Sequence, residues 1–81
     1  MKLDVKLFAR AKEIAGVGCV EIDVPDSANV ADLRIALAQR FPHMTALVPN
    51  LLVALGTEYA DDATLLDPAA DVACFPPVSG G

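Results

Sequence analysis

The sequence predicts a single two-layer α+β domain, a mixed sheet of about five strands on one main helix, and three features carry that expectation. Two early segments, Lys2 to Phe8 and Cys19 to Val24, alternate apolar and polar residues at the period of a half-buried strand. A stretch opening at Asn29 repeats Val30, Leu33, Leu37 and Phe41 at helical spacing. Three further strand candidates follow at Leu51 to Leu55, Glu58 to Ala60 and Val72 to Phe75.

In the first strand Leu3, Val5 and Leu7 share one face and Lys2, Asp4, Lys6 and Phe8 the other, which sets Phe8 on the polar side at the strand's end. Arg10 to Ala15 make one or two helical turns that Gly16 closes. In the second strand Val20, Ile22 and Val24 oppose Cys19, Glu21 and Asp23. Pro25-Asp26-Ser27 breaks that strand. Asn29 then caps the helix, and Asp32 at its third position suits the helix dipole although it is one methylene shorter than the usual Glu. Pro42 ends the helix, because the residue before a proline is pushed out of the helical region.

From His43 to Asn50 no period emerges, and Leu47 and Val48 are expected to plug the core from a loop. The continuous apolar run Leu51 to Leu55 predicts a strand buried on both faces. Gly56-Thr57 turns the chain into the short edge strand Glu58-Tyr59-Ala60. Thr64-Leu65-Leu66 is expected to tuck apolar side chains beneath a loop ending at Asp67-Pro68. In the last strand Val72 and Cys74 share one face, and Ala73 and Phe75 the other. Phe8, Tyr59 and Phe75 are therefore candidates for an exposed aromatic interface. Core placement remains the alternative while the strands are unplaced.

Composition narrows the function. Eighty-one residues make one domain, and 54% hydrophobic residues can supply its core. A net charge of −5 disfavours phosphate-backbone binding, so nucleic acid is not an expected partner; an acidic surface suits docking onto a basic protein. Lys2, Asp4 and Lys6 interrupt any signal-peptide pattern, and the longest apolar run is far too short to span a membrane, so a cytoplasmic setting without membrane contact is expected. Cys19 and Cys74 have neither CxxC spacing nor a second His to complete a metal site, and both are expected to be inert core thiols. His43 reads as a solvated loop residue. Asp61, Asp62, Asp67 and Asp71 read as turn residues whose spacing matches no calcium loop.

What remains is the end of the chain. Pro76-Pro77 favours the extended polyproline conformation, Val78 and Ser79 follow, and all side-chain bulk is then lost at Gly80 and Gly81. A carboxylate on a residue without Cβ can enter a narrow channel and meet a phosphate or a thiol without steric penalty.

Phe75-Pro76-Pro77-Val78-Ser79-Gly80-Gly81, with Leu7-Phe8-Ala9-Arg10 and Glu13-Ile14-Ala15-Gly16, resembles the small subunits of molybdopterin synthase, among the ubiquitin-like sulfur carriers. The likeness covers essentially the whole chain. It implies a β-grasp domain over residues 1–75 and an extended tail over 76–81. One small departure is Gly56, where related sequences often carry Asn at the tight turn; both residues tolerate positive φ.

The resemblance also implies a mechanism. Gly81 is joined to AMP from ATP by an adenylyltransferase resembling ubiquitin-activating enzymes, and a sulfur-donor protein then allows sulfur to replace AMP. The resulting thiocarboxylate enters the large subunit's active site and gives its sulfur to a pterin precursor. On this reading Gly81 reacts and Gly80 provides clearance. Phe8, Tyr59, Phe75, Pro76, Pro77, Val78 and Ser79 meet the partner. The chain binds no cofactor or metal, ATP belongs to the activating enzyme, and the catalytic side chains lie on the large subunit. Thiamine-pathway carriers share the fold and the Gly-Gly end but are generally shorter and lack the Phe-Pro-Pro approach. A carrier for cysteine or tRNA thiolation, a modifier whose Gly81 forms isopeptides with lysines, and a purely structural binding domain are the remaining alternatives.

Overall fold

Lys2–Leu7 forms β1, with Leu3, Val5 and Leu7 buried and the intervening residues exposed. In this computed structural model the described residues are 1–77; the expectations for Val78, Ser79, Gly80 and Gly81 lie outside them. The short helix α1 (Ala9–Ala15) follows and stops at Gly16, which takes φ 78° and donates its N–H to the Lys12 carbonyl. Strand β2 (Cys19–Asp23) returns antiparallel to β1, pairing Leu3 with Ile22 and Val5 with Val20.

Helix α2 (Val30–Arg40) buries Val30, Leu33 and Leu37. Its capping box closes in both directions: the Asp32 N–H donates to Asn29 Oδ1 and the Asn29 N–H donates to Asp32 Oδ2, each at 3.0 Å. The shorter acid thus does more than favour the dipole, since it also satisfies a backbone donor. Phe41 caps the far end, partly buried against the core.

The stretch without a sequence period contains two 3-10 turns, Pro42–Met44 and Val48–Asn50. Val48 is a core plug as expected, and Leu47 packs partly buried against the core. The deepest plug is Met44, fully buried and not anticipated. Arg34 braces this region from α2, donating from Nη1 to the carbonyls of Val48 and Leu51 at 2.7 and 2.8 Å and from Nε to Asp62 at 2.8 Å.

Strands β3 (Leu52–Leu55), β4 (Glu58–Ala60) and β5 (Val72–Phe75) complete a five-stranded sheet in the order β2-β1-β5-β3-β4. The turn at Gly56 takes φ 64°, and the Gly56 N–H donates to the Asp71 carbonyl. β5 lies parallel to β1 and antiparallel to β3, so the last strand runs through the centre of the sheet. This is the β-grasp arrangement.

Two expectations about burial need correction. β3 is only partly buried on its outer face: Val53 is 1% exposed on the core side, and on the other face Ala54 is buried but Leu52 is 41% exposed. α2 covers one face of the sheet only, so the pleat, rather than the apolar run, decides which side chains are covered. Likewise Leu66 is buried but Leu65 is 68% exposed, because Leu65 forms a β-bridge with Asn29 and an extended residue pair points to opposite sides. The acids behave as turn residues where Asp61 accepts from the Ala63 N–H and Thr64 hydroxyl and Asp67 from the Ala69 N–H. Asp62 has the further task of holding Arg34.

Candidate functional site

The sheet face away from α2 is divided by composition. On its β2 and β1 side stand Glu21, Asp23, Lys2, Asp4 and Lys6, all exposed. Across β5, β3 and β4 the same face is apolar. Ala73, Ala54 and Tyr59 are register neighbours on successive strands, and Phe75 pairs with Leu52 one row along. These parities follow from the core side, where Val5 is opposite Val72 and Leu7 and Val53 are opposite Cys74.

Phe8 and Phe75 are brought together. Their rings stack with centroids 4.7 Å apart and planes 9° from parallel. Phe8 is 40% exposed and Phe75 is half-buried on the outer face, so neither belongs to the core. Tyr59, 72% exposed, lies on the same face two strands from β5, roughly 10 Å away at the usual strand spacing. Leu52 and Ala54 fill the gap between them. Sequence reasoning missed Leu52, although its parity opposite buried Val53 was the available signal. Pro76 is half-buried and Pro77 exposed.

The two thiols part company. Cys74 is fully buried, and removal from water raises its pKa from 9.0 to about 11 against a smaller lowering by the nearby Arg34 charge. At neutral pH it is a protonated, inert core group. Cys19 is exposed, which corrects the expectation of a core thiol. Its parity with Glu21 and Asp23 overrides the general tendency of cysteine to be buried. His43 is exposed in its 3-10 turn. Among the described residues no three His, Cys, Asp or Glu side chains gather to hold a metal ion, and no helix is long and apolar enough to cross a membrane.

The shift at Cys74 has a measurable consequence. Between pH 9.0 and about 11 the unfolded thiol releases its proton while the folded one retains it, so stability falls with rising pH. The contribution is fully present below pH 9.0. Chemical denaturation across this window should show wild type losing on the order of 2–3 kcal/mol more than Cys74→Val. Parallel pH profiles for the two proteins would show instead that the thiol titrates alike folded and unfolded.

The sheet order and the central terminal strand define a ubiquitin-like β-grasp protein. The chain belongs to the ThiS family, whose model matches residues 5–81. It is 30% identical over its full length to the molybdopterin synthase sulfur carrier subunit of Arabidopsis thaliana, covering 84% of that protein. Among solved structures it is similar to small archaeal modifier protein 1 of Haloferax volcanii, with TM-score 0.84, 29% identity, and coverage of 95% of this chain and 98% of that one. It is equally similar to a putative molybdopterin converting factor subunit 1 from Pyrococcus furiosus, with TM-score 0.84 and 29% identity, covering 96% of this chain and 99% of that one.

Proposed function

We propose that this chain carries sulfur as a thiocarboxylate on Gly81 and delivers it to a pterin precursor as the small subunit of a molybdopterin synthase. The observation that carries this reading is the position of Phe75: it ends the central strand on an exposed apolar face and is followed at once by Pro76-Pro77 and the Gly80-Gly81 end. The full-length similarity to a molybdopterin synthase sulfur carrier subunit supports the pathway.

A carboxylate is a poor electrophile, so the chemistry begins on an adenylyltransferase that joins Gly81 to AMP from ATP. Sulfur from a donor protein then displaces AMP. The apolar patch of Phe8, Leu52, Tyr59 and Phe75 docks on the large subunit, whose side chains perform catalysis, while Pro76-Pro77 limits the entropy lost as the tail is threaded. Val78 and Ser79 contact the walls of the channel, and Gly80 gives clearance. The chain itself binds no cofactor. A reducing cytoplasm suits this role, since both described cysteines are free thiols.

A second reading, a modifier conjugated through Gly81 to lysines, draws support from the similarity to small archaeal modifier protein 1. Intact mass of the protein recovered from cells separates the two. A carrier gains the mass of one sulfur minus one oxygen and co-purifies with a large subunit, whereas a modifier gains a whole target protein. Recovery of conjugates without any thiocarboxylate would reject the carrier reading.

Phe75→Ala tests the docking face. Association with the large subunit should weaken by about 2 kcal/mol or more, as at interface hot spots. The free domain should lose only about 1 kcal/mol, the worth of an aromatic stack. Titration calorimetry and denaturant unfolding on the same variant give both quantities. A loss of about 3–5 kcal/mol in folding, the cost of truncating a buried Phe, with binding intact would remove Phe75 from the interface.

A further inference from the structure

Strand β2 forms one edge of the sheet, with β1 on one side and no strand among the described residues on the other. Its register with β1 shows which backbone groups are left over. The Leu7 N–H donates to the Gly18 carbonyl and the Val24 N–H to the Met1 carbonyl, each at 2.9 Å. Bonded rungs alternate in an antiparallel pair, so Val5 with Val20 and Leu3 with Ile22 are bonded rungs too. Cys19, Glu21 and Asp23 fall between them. Their N–H and C=O groups therefore point away from β1, and none meets a partner among the described residues. Proline and bulges often close such an edge, but β2 has neither.

The open edge is also one wall of a groove. Glu21, Ile22 and Asp23 line it from β2, and Ala36, Gln39 and Arg40 line it from α2. Ile22 is 3% exposed and Ala36 is partly buried, which gives the groove an apolar floor. Side chains of a strand laid along this edge would alternate, one set falling toward Ile22 and Ala36 and the other standing on the outer face beside Glu21 and Asp23. The opposite edge offers less, since β4 is only three residues long.

Charge selects the occupant. Asp4 is directly opposite Glu21 in a non-bonded rung, where side chains lie closest and like charges destabilise. Glu21 has Lys2 at 3.6 Å, while Asp4 and Asp23 have no ion-pair partner among the described residues. A second copy of β2 paired antiparallel about its centre would set Glu21 against its own copy, so the edge disfavours self-pairing. Lys or Arg at alternate positions of an extended segment lie about 7 Å apart, the spacing of Glu21 and Asp23 along β2. We propose that the β2 edge receives an extended basic segment of a partner protein as a sixth strand, its backbone pairing with Cys19, Glu21 and Asp23 and its outward cations meeting Glu21 and Asp23. This is recognition by strand addition, in which main-chain bonds give affinity and alternate side chains give specificity. β1 separates β2 from β5, so an occupied edge leaves the Phe75 face uncovered.

The probe is the peptide acetyl-Lys-Val-Lys-Val-Lys-amide, titrated into the nitrogen-15-labelled full chain at physiological ionic strength. Amide shifts should saturate and map to Cys19, Glu21 and Asp23 together with Ala36, Gln39 and Arg40. In the bound state the Glu21 and Asp23 amides should exchange with solvent at least about fivefold more slowly. Two control peptides separate backbone pairing from charge. The same peptide methylated on every backbone nitrogen keeps its cations but cannot donate to β2, and acetyl-Glu-Val-Glu-Val-Glu-amide keeps the backbone but carries the wrong charge. Each should bind at least about tenfold more weakly. Glu21→Lys should invert the preference between the two charged peptides. It also relieves the opposition with Asp4, so thermal unfolding should show a folded domain.

No saturable shift at about 10 mM peptide, or equal binding of the methylated peptide, overturns the proposal. So do shifts spread over Asp61, Asp62 and Asp67, which would report charge attraction alone. Shifts of Glu21 and Asp23 that depend on protein concentration without peptide would make a second copy the occupant and overturn it likewise. Every readout uses the isolated chain and no sulfur chemistry, so the result stands apart from the carrier reading.

Discussion

Removing Gly80 and Gly81 should abolish thiocarboxylate formation and sulfur transfer while leaving thermal unfolding of the domain unchanged. Among the described residues the buried cluster runs from Leu3 to Cys74. Two glycines have no side chains to bury, so their loss removes reactivity without opening a cavity. The carboxylate of the shortened chain would sit on Ser79, two residues short of the reaction and carrying a Cβ. Incubation with the adenylyltransferase, ATP and a sulfur donor, followed by intact mass, measures the loss directly. Sulfur transfer at the wild-type rate from the truncated chain would end the carrier assignment.

Leu33→Ala and Leu37→Ala should each destabilise the domain by about 2–5 kcal/mol, the cost of a cavity in a close-packed interior. Both side chains are fully buried on the face of α2 that meets the sheet. The effect is a large fraction of the total for a domain this small, since native stability is generally only about 5–15 kcal/mol. Denaturant midpoints at constant slope give the two values. Ile35→Ala is the control on the same helix, because Ile35 is 59% exposed and its loss should lie within about 0.5 kcal/mol. Equal midpoint shifts at 33 and 35 would mean that α2 does not bury the face assigned here.

The strands, the helix and its cap were legible in the residues because their signals are local. Alternation in Lys2 to Leu7 and in Cys19 to Asp23 follows from the pleat, and Asn29 with Asp32 closes a box whose partners lie three residues apart. The lack of side chains at Gly80-Gly81, on which the carrier proposal rests, is equally local. Periodicity was misleading wherever burial depended on what lay across the sheet. Leu52 looked buried because its neighbours are apolar, yet it is exposed because α2 covers a single face. Cys19 followed its parity to solvent despite its residue type. Met44 and Arg34 carried no local signal at all: Met44 fills the core from a 3-10 turn, and Arg34 reaches carbonyls 14 and 17 residues away. What the sequence alone determined, then, was each strand, both α-helices and the lack of side chains at the end. Which aromatics share a face was decided only by strand order, because Phe8 and Phe75 lie 67 residues apart and meet through the parallel pairing of β1 with β5.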